Sequence, residues 1–127
     1  MNVLLTGITG NLGFEIAHSL KQREVEIVPV VRKVSALEKL NLPPENAIEA
    51  DLVDGSVKID PNNIDSIVHS AGNVHFEKSG ESNSKMMQSV VQVAKELNVP
   101  IYYVSTAFLW RESVSVDDLR NTYERDK

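Results

Sequence analysis

The chain has 127 residues, of which 42% are hydrophobic and 24% charged, with a formal net charge of −5 and no cysteine. That length suits one domain with its own core. The acidic balance, without a basic stripe, argues against a nucleic-acid partner. The lack of cysteine excludes disulfides and thiolate metal sites, and no stretch approaches the roughly 20 apolar residues of a membrane span.

The first predicted element is a strand, NVLLT (2–6), apolar on both faces as a buried parallel strand would be. Its start, MNVLLTG, has no charged n-region and too short an apolar run for a signal peptide, so a cytoplasmic location and no membrane partner are expected. Gly7, Gly10 and Gly13 follow at spacings of three, and NLGFEIAHSLKQR (11–23) then reads as a helix with Leu12, Ile16 and Leu20 along one side. A helix N-terminus carries unsatisfied N–H groups and partial positive charge, and attracts phosphate. Gly7 allows a tight turn, Gly10 lets the backbone approach a pyrophosphate, and Gly13 lets the helix pack closely on the sheet. Thr9, Asn11 and Leu12 stand between these glycines and belong to the same expected cofactor-binding segment.

VEIVPVV (25–31) is the second strand and runs into Arg32 and Lys33. Arg32 lies about 20 residues beyond the glycine turn, where an adenosine ribose is read; a carboxylate there suits the 2′-hydroxyl of NAD, an arginine the 2′-phosphate of NADP. Between Val25 and Glu38 the only acid is Glu26, which comes too early, so NADP is the expected cofactor and NAD the second choice. SALEKLN (35–41) reads as a short helix and AIEA (47–50) as the third strand, ending at Asp51 and Leu52. Residues 51–63 show little periodicity and read as a loop replacing a crossover helix.

SIVHS (66–70) is the fourth strand, followed by Ala71 and Gly72, whose small size would admit the cofactor ribose. His69 and His75 have no further histidine or cysteine gathered with them, and a packing role is expected for both in place of a metal site. Residues 83–98 form a long helix with Met86, Met87, Val90, Val91, Ala94 and Leu97 on one face, stopped by Asn98 and Pro100. IYYVS (101–105) is the fifth strand and leads into Thr106; Tyr123 and Lys127 come four residues apart in NTYERDK, a spacing that puts both on one helix face. Alternation of strand and helix predicts an α/β fold with a parallel sheet and right-handed crossovers.

The pattern T-G-x-x-G-x-x-G at 6–13 resembles the extended and atypical branches of the short-chain dehydrogenase/reductase superfamily, and the later motifs follow in that family's order. The segment HSAGNVHF (69–76) looks like that of its thioester-reductase and fatty-acyl-reductase branch, and YVSTAF (103–108) and Y-x-x-x-K at Tyr123 and Lys127 resemble its catalytic motifs. The resemblance implies a Rossmann-type doubly wound sheet of about five strands, order 3-2-1-4-5, forming one NAD(P)-binding domain over 1–127. It implies that Asp51 and Leu52 border the adenine, that Ser70, Ala71 and Gly72 lie by the ribose, and that Thr106 bonds the substrate oxygen, with Ser105 as its near neighbour. Tyr123 would exchange a proton with the substrate, its phenolate favoured by the Lys127 ammonium, and Lys127 would also reach the ribose hydroxyls.

The expected parent activity is NADP-dependent reduction of a carbonyl or thioester on a small-molecule substrate. The alternatives are a non-catalytic NAD(P)-binding sensor module and part of a sugar-nucleotide epimerase or dehydratase. Relatives of this kind continue beyond a Y-x-x-x-K motif into a substrate domain, so a truncated chain, inactive alone, is expected. A homo-oligomer is expected too, formed through the fourth helix (83–98), the fifth strand or a C-terminal helix, where an open sheet edge and apolar surface invite pairing.

Overall fold

A computed structural model describes residues 1–38, 40–55, 57–59, 63–73 and 81–105. Their elements are β1 (Asn2–Thr6), α1 (Asn11–Lys21), β2 (Glu26–Val31), α2 (Ser35–Glu38), β3 (Ile48–Glu49), β4 (Ser66–His69), α3 (Ser82–Leu97) and β5 (Ile101–Tyr103). The strands form one five-stranded sheet in the order β3-β2-β1-β4-β5, with every pairing parallel. This is the doubly wound Rossmann-type topology expected from the alternation of elements. The order reverses at β1: the chain winds outward to β2 and β3, then crosses back to β4 on the other side. Ligands of such sheets bind outside the strand C-termini at this switch point.

Successive strand residues face opposite sides, so the sheet feeds two cores. Leu4, Val30 and Ile67 meet Val90, Val93 and Ala94 of α3 on one face. Leu5 and Val31 meet Ile8, Ala17 of α1 and Leu37 of α2 on the other. Leu5, Leu37 and Ile67 are fully buried, and burying such a side chain contributes about 1.5–3 kcal/mol.

The helices bury part of the expected apolar faces, Val90 and Ala94 with Ile16, Met86 and Leu97 packed beside the core, and add residues the apolar spacing did not suggest. In α1 the buried positions are Gly13 and Ala17, while Leu12 is 54% exposed. Two small residues bring the helix axis close to the sheet and rotate the leucine out. In α3, Asn83, Ser89 and Val93 are buried beside Val90 and Ala94. Asn98 ends α3 in the left-handed conformation, φ 54°, as a helix C-terminus favours.

β3 is two residues long and pairs with β2 only from Val30 onward. Pro29, which brings no N–H to a ladder, sits just before that pairing begins. The connection from β3 to β4 contains no helix among its described residues. Leu52, Val57, Ile59 and Ile64 of this connection pack against the α3-side core. At the other end of the sheet β5 pairs with β4, and Tyr102 is 62% exposed.

Candidate functional site

A cleft of about 530 Å³ opens at the C-terminal ends of β1, β2, β3 and β4. Its walls are Gly7, Thr9 and Gly10 after β1, residues 30–32 at the end of β2, residues 50–53 after β3, residues 70–73 after β4, and Ser82 and Met86 of α3.

The three glycines differ in what surrounds them. Gly7 has φ +78°, and a Cβ there would lie 2.5 Å from the backbone nitrogen of Ala71. The turn after β1 and the segment after β4 therefore touch backbone to backbone. A Cβ on Gly13 would lie 2.0 Å from the Gly7 carbonyl oxygen, so the atoms that demand glycine here belong to the turn itself. Gly10 differs: its N–H donates to the Gly7 carbonyl at 2.9 Å, and a Cβ there would meet only that carbonyl oxygen, at 3.4 Å. Its remaining surroundings are the cleft. The α1 N-terminus follows at once, with no side-chain cap and no acid in its first turn, so nothing there competes with an incoming anion.

Thr6 holds the two sides of the switch point together. It is buried, its Oγ1 lies 2.6 Å from Nδ1 of buried His69, and Oγ1 also accepts from the Ala71 N–H at 3.3 Å. The Thr6 carbonyl accepts from the Ser70 hydroxyl at 2.7 Å. His69 stacks on Tyr103 with ring centroids 5.5 Å apart. The ring is thus held between Thr6 and Tyr103 inside the fold, and the described residues hold no cluster of three or more metal-ligating side chains.

At the far wall, the Asn83 side chain clasps Asn73. Its Oδ1 accepts from the Asn73 N–H at 2.7 Å and its Nδ2 donates to the Asn73 carbonyl at 3.2 Å. Ser82 Oγ beside it is buried with no hydrogen-bond partner among the described residues, in the wall of the cleft. Ser89 donates to the Leu52 carbonyl at 2.6 Å, tying α3 to the turn after β3.

Of the residues singled out in the sequence, Gly7, Thr9, Gly10, Arg32, Asp51, Leu52, Ser70, Ala71 and Gly72 line one cleft. Arg32 is exposed at its rim. Asp51 Oδ1 accepts from the Val53 N–H at 2.9 Å, which leaves its other oxygen for a ligand. Leu52 is as much a core residue as a wall residue. Asn11, Leu12, Gly13 and Lys33 lie outside the lining set. Thr106, Tyr123, Lys127 and His75 lie outside the described residues. Ser82, Met86, Asn73, Ala50 and Val53 line the cleft without having been singled out. Met86 reads in sequence as one more core residue, and Ser82 has no pattern to mark it.

Residues 3–118 match the family described as the NAD dependent epimerase/dehydratase family. The chain belongs to this family. No curated protein sequence matches it. The solved UDP-glucose 4-epimerase from Bifidobacterium longum, in complex with NAD+ and UDP, is similar with a TM-score of 0.78 at 20% identity, over 100% of this chain and 46% of that one. The enzyme WbmH of Bordetella bronchiseptica, in complex with NAD+, is similar with a TM-score of 0.71 at 23% identity, over 99% and 48%. The thiolation-reductase di-domain of an archaeal non-ribosomal peptide synthetase is similar with a TM-score of 0.75 at 21% identity, over 99% and 36%. At these identities the likeness is one of fold. The chain spans less than half the length of each of these three structures. No helix among the described residues is long and apolar enough to cross a membrane.

Proposed function

We propose that this chain is the dinucleotide-binding portion of an enzyme that acts on a sugar nucleotide, with NAD+ as its cofactor. The observation that carries the reading is Gly10: within a chain of the epimerase/dehydratase family, it presents bare backbone to a cleft at the switch point, just before an uncapped helix N-terminus. A Cβ would fill the space a diphosphate needs. Asp51, Leu52, Val53, Met86, Ala71 and Gly72 line the cleft, and the motif resemblance puts the adenine beside Asp51 and Leu52 and the ribose beside Ala71 and Gly72. Ser82, whose Oγ has no hydrogen-bond partner among the described residues, lines the same cleft.

The dinucleotide, once bound, supplies a hydride acceptor or donor. Thr106 orients the substrate oxygen, Tyr123 exchanges its proton, and Lys127 stabilises the phenolate and holds the ribose; these roles rest on the motif resemblance. The NAD+ choice draws on the family's description and on the NAD+ complexes of two solved structures with this fold, set against Arg32. The sugar-nucleotide choice draws on the UDP-bound epimerase among them. The HSAGNVHF segment and the similar thiolation-reductase structure favour a second reading, reduction of a carbonyl or thioester.

Calorimetric titration of the chain with NAD+ tests the site, and saturable one-to-one binding is the expected result. Absence of binding at millimolar NAD+ would overturn it. In a preparation that turns over its substrate, activity on nucleotide sugars against acyl thioesters separates the two substrate readings, the first being expected.

A further inference from the structure

We propose that Glu49 is a specificity-determining residue that turns the ribose-reading loop toward NAD and away from NADP, an inference that rests on the dinucleotide site proposed above. Glu49 is the second residue of β3 and lies opposite Val31 in register, one residue before Ala50 in the cleft wall. Its Oε2 accepts from the backbone N–H of Val34 at 2.9 Å. Val34 follows directly on Arg32 and Lys33, the pair that ends β2 at the position where an adenosine ribose is read.

Two consequences follow from that one contact. The Val34 N–H, two residues beyond the cleft-lining Arg32, is held by an internal carboxylate and is not offered to a 2′-phosphate reaching the loop. The carboxylate also sets a negative charge at the base of the arm that carries Arg32 and Lys33. Both effects oppose a dianionic 2′-phosphate, while a neutral 2′-hydroxyl meets neither. The end of β2 lacks the acid that would mark NAD preference in the sequence, and Glu49 supplies a carboxylate to the same loop from the neighbouring strand.

The test is fluorescence or calorimetric titration of the chain with NAD+ and NADP+ at low and at high salt. The unmutated chain should bind NAD+ more tightly. Glu49→Gln keeps an acceptor of the same length for Val34 and removes the charge. It should raise NADP+ affinity relative to NAD+ by about fivefold at low salt, the scale of a solvent-screened charge contact, and the gain should shrink in high salt. Glu49→Ala, which also frees the Val34 N–H, should shift the ratio at least as far. A salt-sensitive ratio is a readout that loop packing alone would not move. If both dinucleotides bind and the ratio is unchanged in both variants, or the unmutated chain prefers NADP+, the role of Glu49 is refuted while the site stands. If neither dinucleotide binds, the proposed site falls and this inference with it.

Discussion

Adding one methyl group at Gly13 and one at Gly10 should separate the two demands placed on the glycine turn. A Cβ at Gly13 would sit 2.0 Å from the Gly7 oxygen, 2.5 Å from the Gly7 carbon and 2.9 Å from the Ile8 nitrogen. All three are backbone atoms, so no rotamer change relieves the clash. Overpacking costs roughly 1–3 kcal/mol where side chains can yield. Two opposed backbones place Gly13→Ala at about 3 kcal/mol, of which alanine's better helix propensity returns about 1 kcal/mol. The net loss of about 2 kcal/mol corresponds to a melting temperature lower by roughly 8 °C for a domain of this size. At Gly10 the same methyl meets one oxygen at 3.4 Å and otherwise open cleft. Gly10→Ala should therefore melt within about 2 °C of the unmutated chain while losing NAD+ affinity by at least about tenfold, because its Cβ stands where the diphosphate must approach. Thermal melting by circular dichroism and calorimetric NAD+ titration read the two effects. A Gly13→Ala chain that melts with the unmutated one would refute the close packing of α1 on the turn. A Gly10→Ala chain that binds NAD+ undiminished would refute the placement of the diphosphate.

Thr6→Val keeps the shape of the side chain and removes its buried hydrogen bonds to His69 and Ala71; it should lower stability by about 1–3 kcal/mol, with Thr6→Ser losing less, as measured by urea denaturation. Arg32→Ala should weaken NADP+ by roughly tenfold and NAD+ far less in competitive titrations; equal losses would remove Arg32 from the reading of the 2′ position. In a preparation that turns over its substrate, Tyr123→Phe should cut kcat by at least about a hundredfold with NAD+ affinity nearly retained, and full activity would remove Tyr123 from the mechanism.

The strand order and the cleft were legible because their signals are local. β1 and β4 are β-branched or leucine-rich on both faces, and that marks a central parallel strand. The glycine turn announces itself by spacing. The residues missed were those whose role depends on tertiary approach. Ala17 carries little hydrophobic signal, yet it forms the buried side of α1 with Gly13, whose close packing the glycine spacing did announce, while the more obvious Leu12 faces outward. Ser89 and Asn83 are polar residues in a helix and would be placed on its wet face by pattern alone; each is buried because it serves the backbone of another segment. Glu49 was invisible for the same reason, since its partner Val34 lies 15 residues away. The NADP expectation rested on Arg32 considered along the chain, and the Glu49–Val34 contact, which bears on it only under the proposal above, joins segments that are not adjacent in sequence.

The shortness of β3 bears on how the cleft opens and closes. Two residues and a handful of ladder bonds hold this edge to β2, and elements with so few backbone pairs open at far lower free energy than central strands do. Ala50, Asp51 and Val53 of the cleft wall follow it directly, with Leu52 among them held in the core and by Ser89. If that edge opens, the wall opens with it, and the apparent dissociation constant of a ligand held there rises as the closed fraction falls. A dinucleotide bound across Asp51 and Gly7 would clamp the edge to the stable centre of the sheet, and amide exchange at Ala50 and Val53 should slow on binding far more than at Leu4 or Leu5. Under the proposed site, affinity then depends partly on the pairing of this edge, and a substitution in β3 that touches no ligand atom is expected to change it.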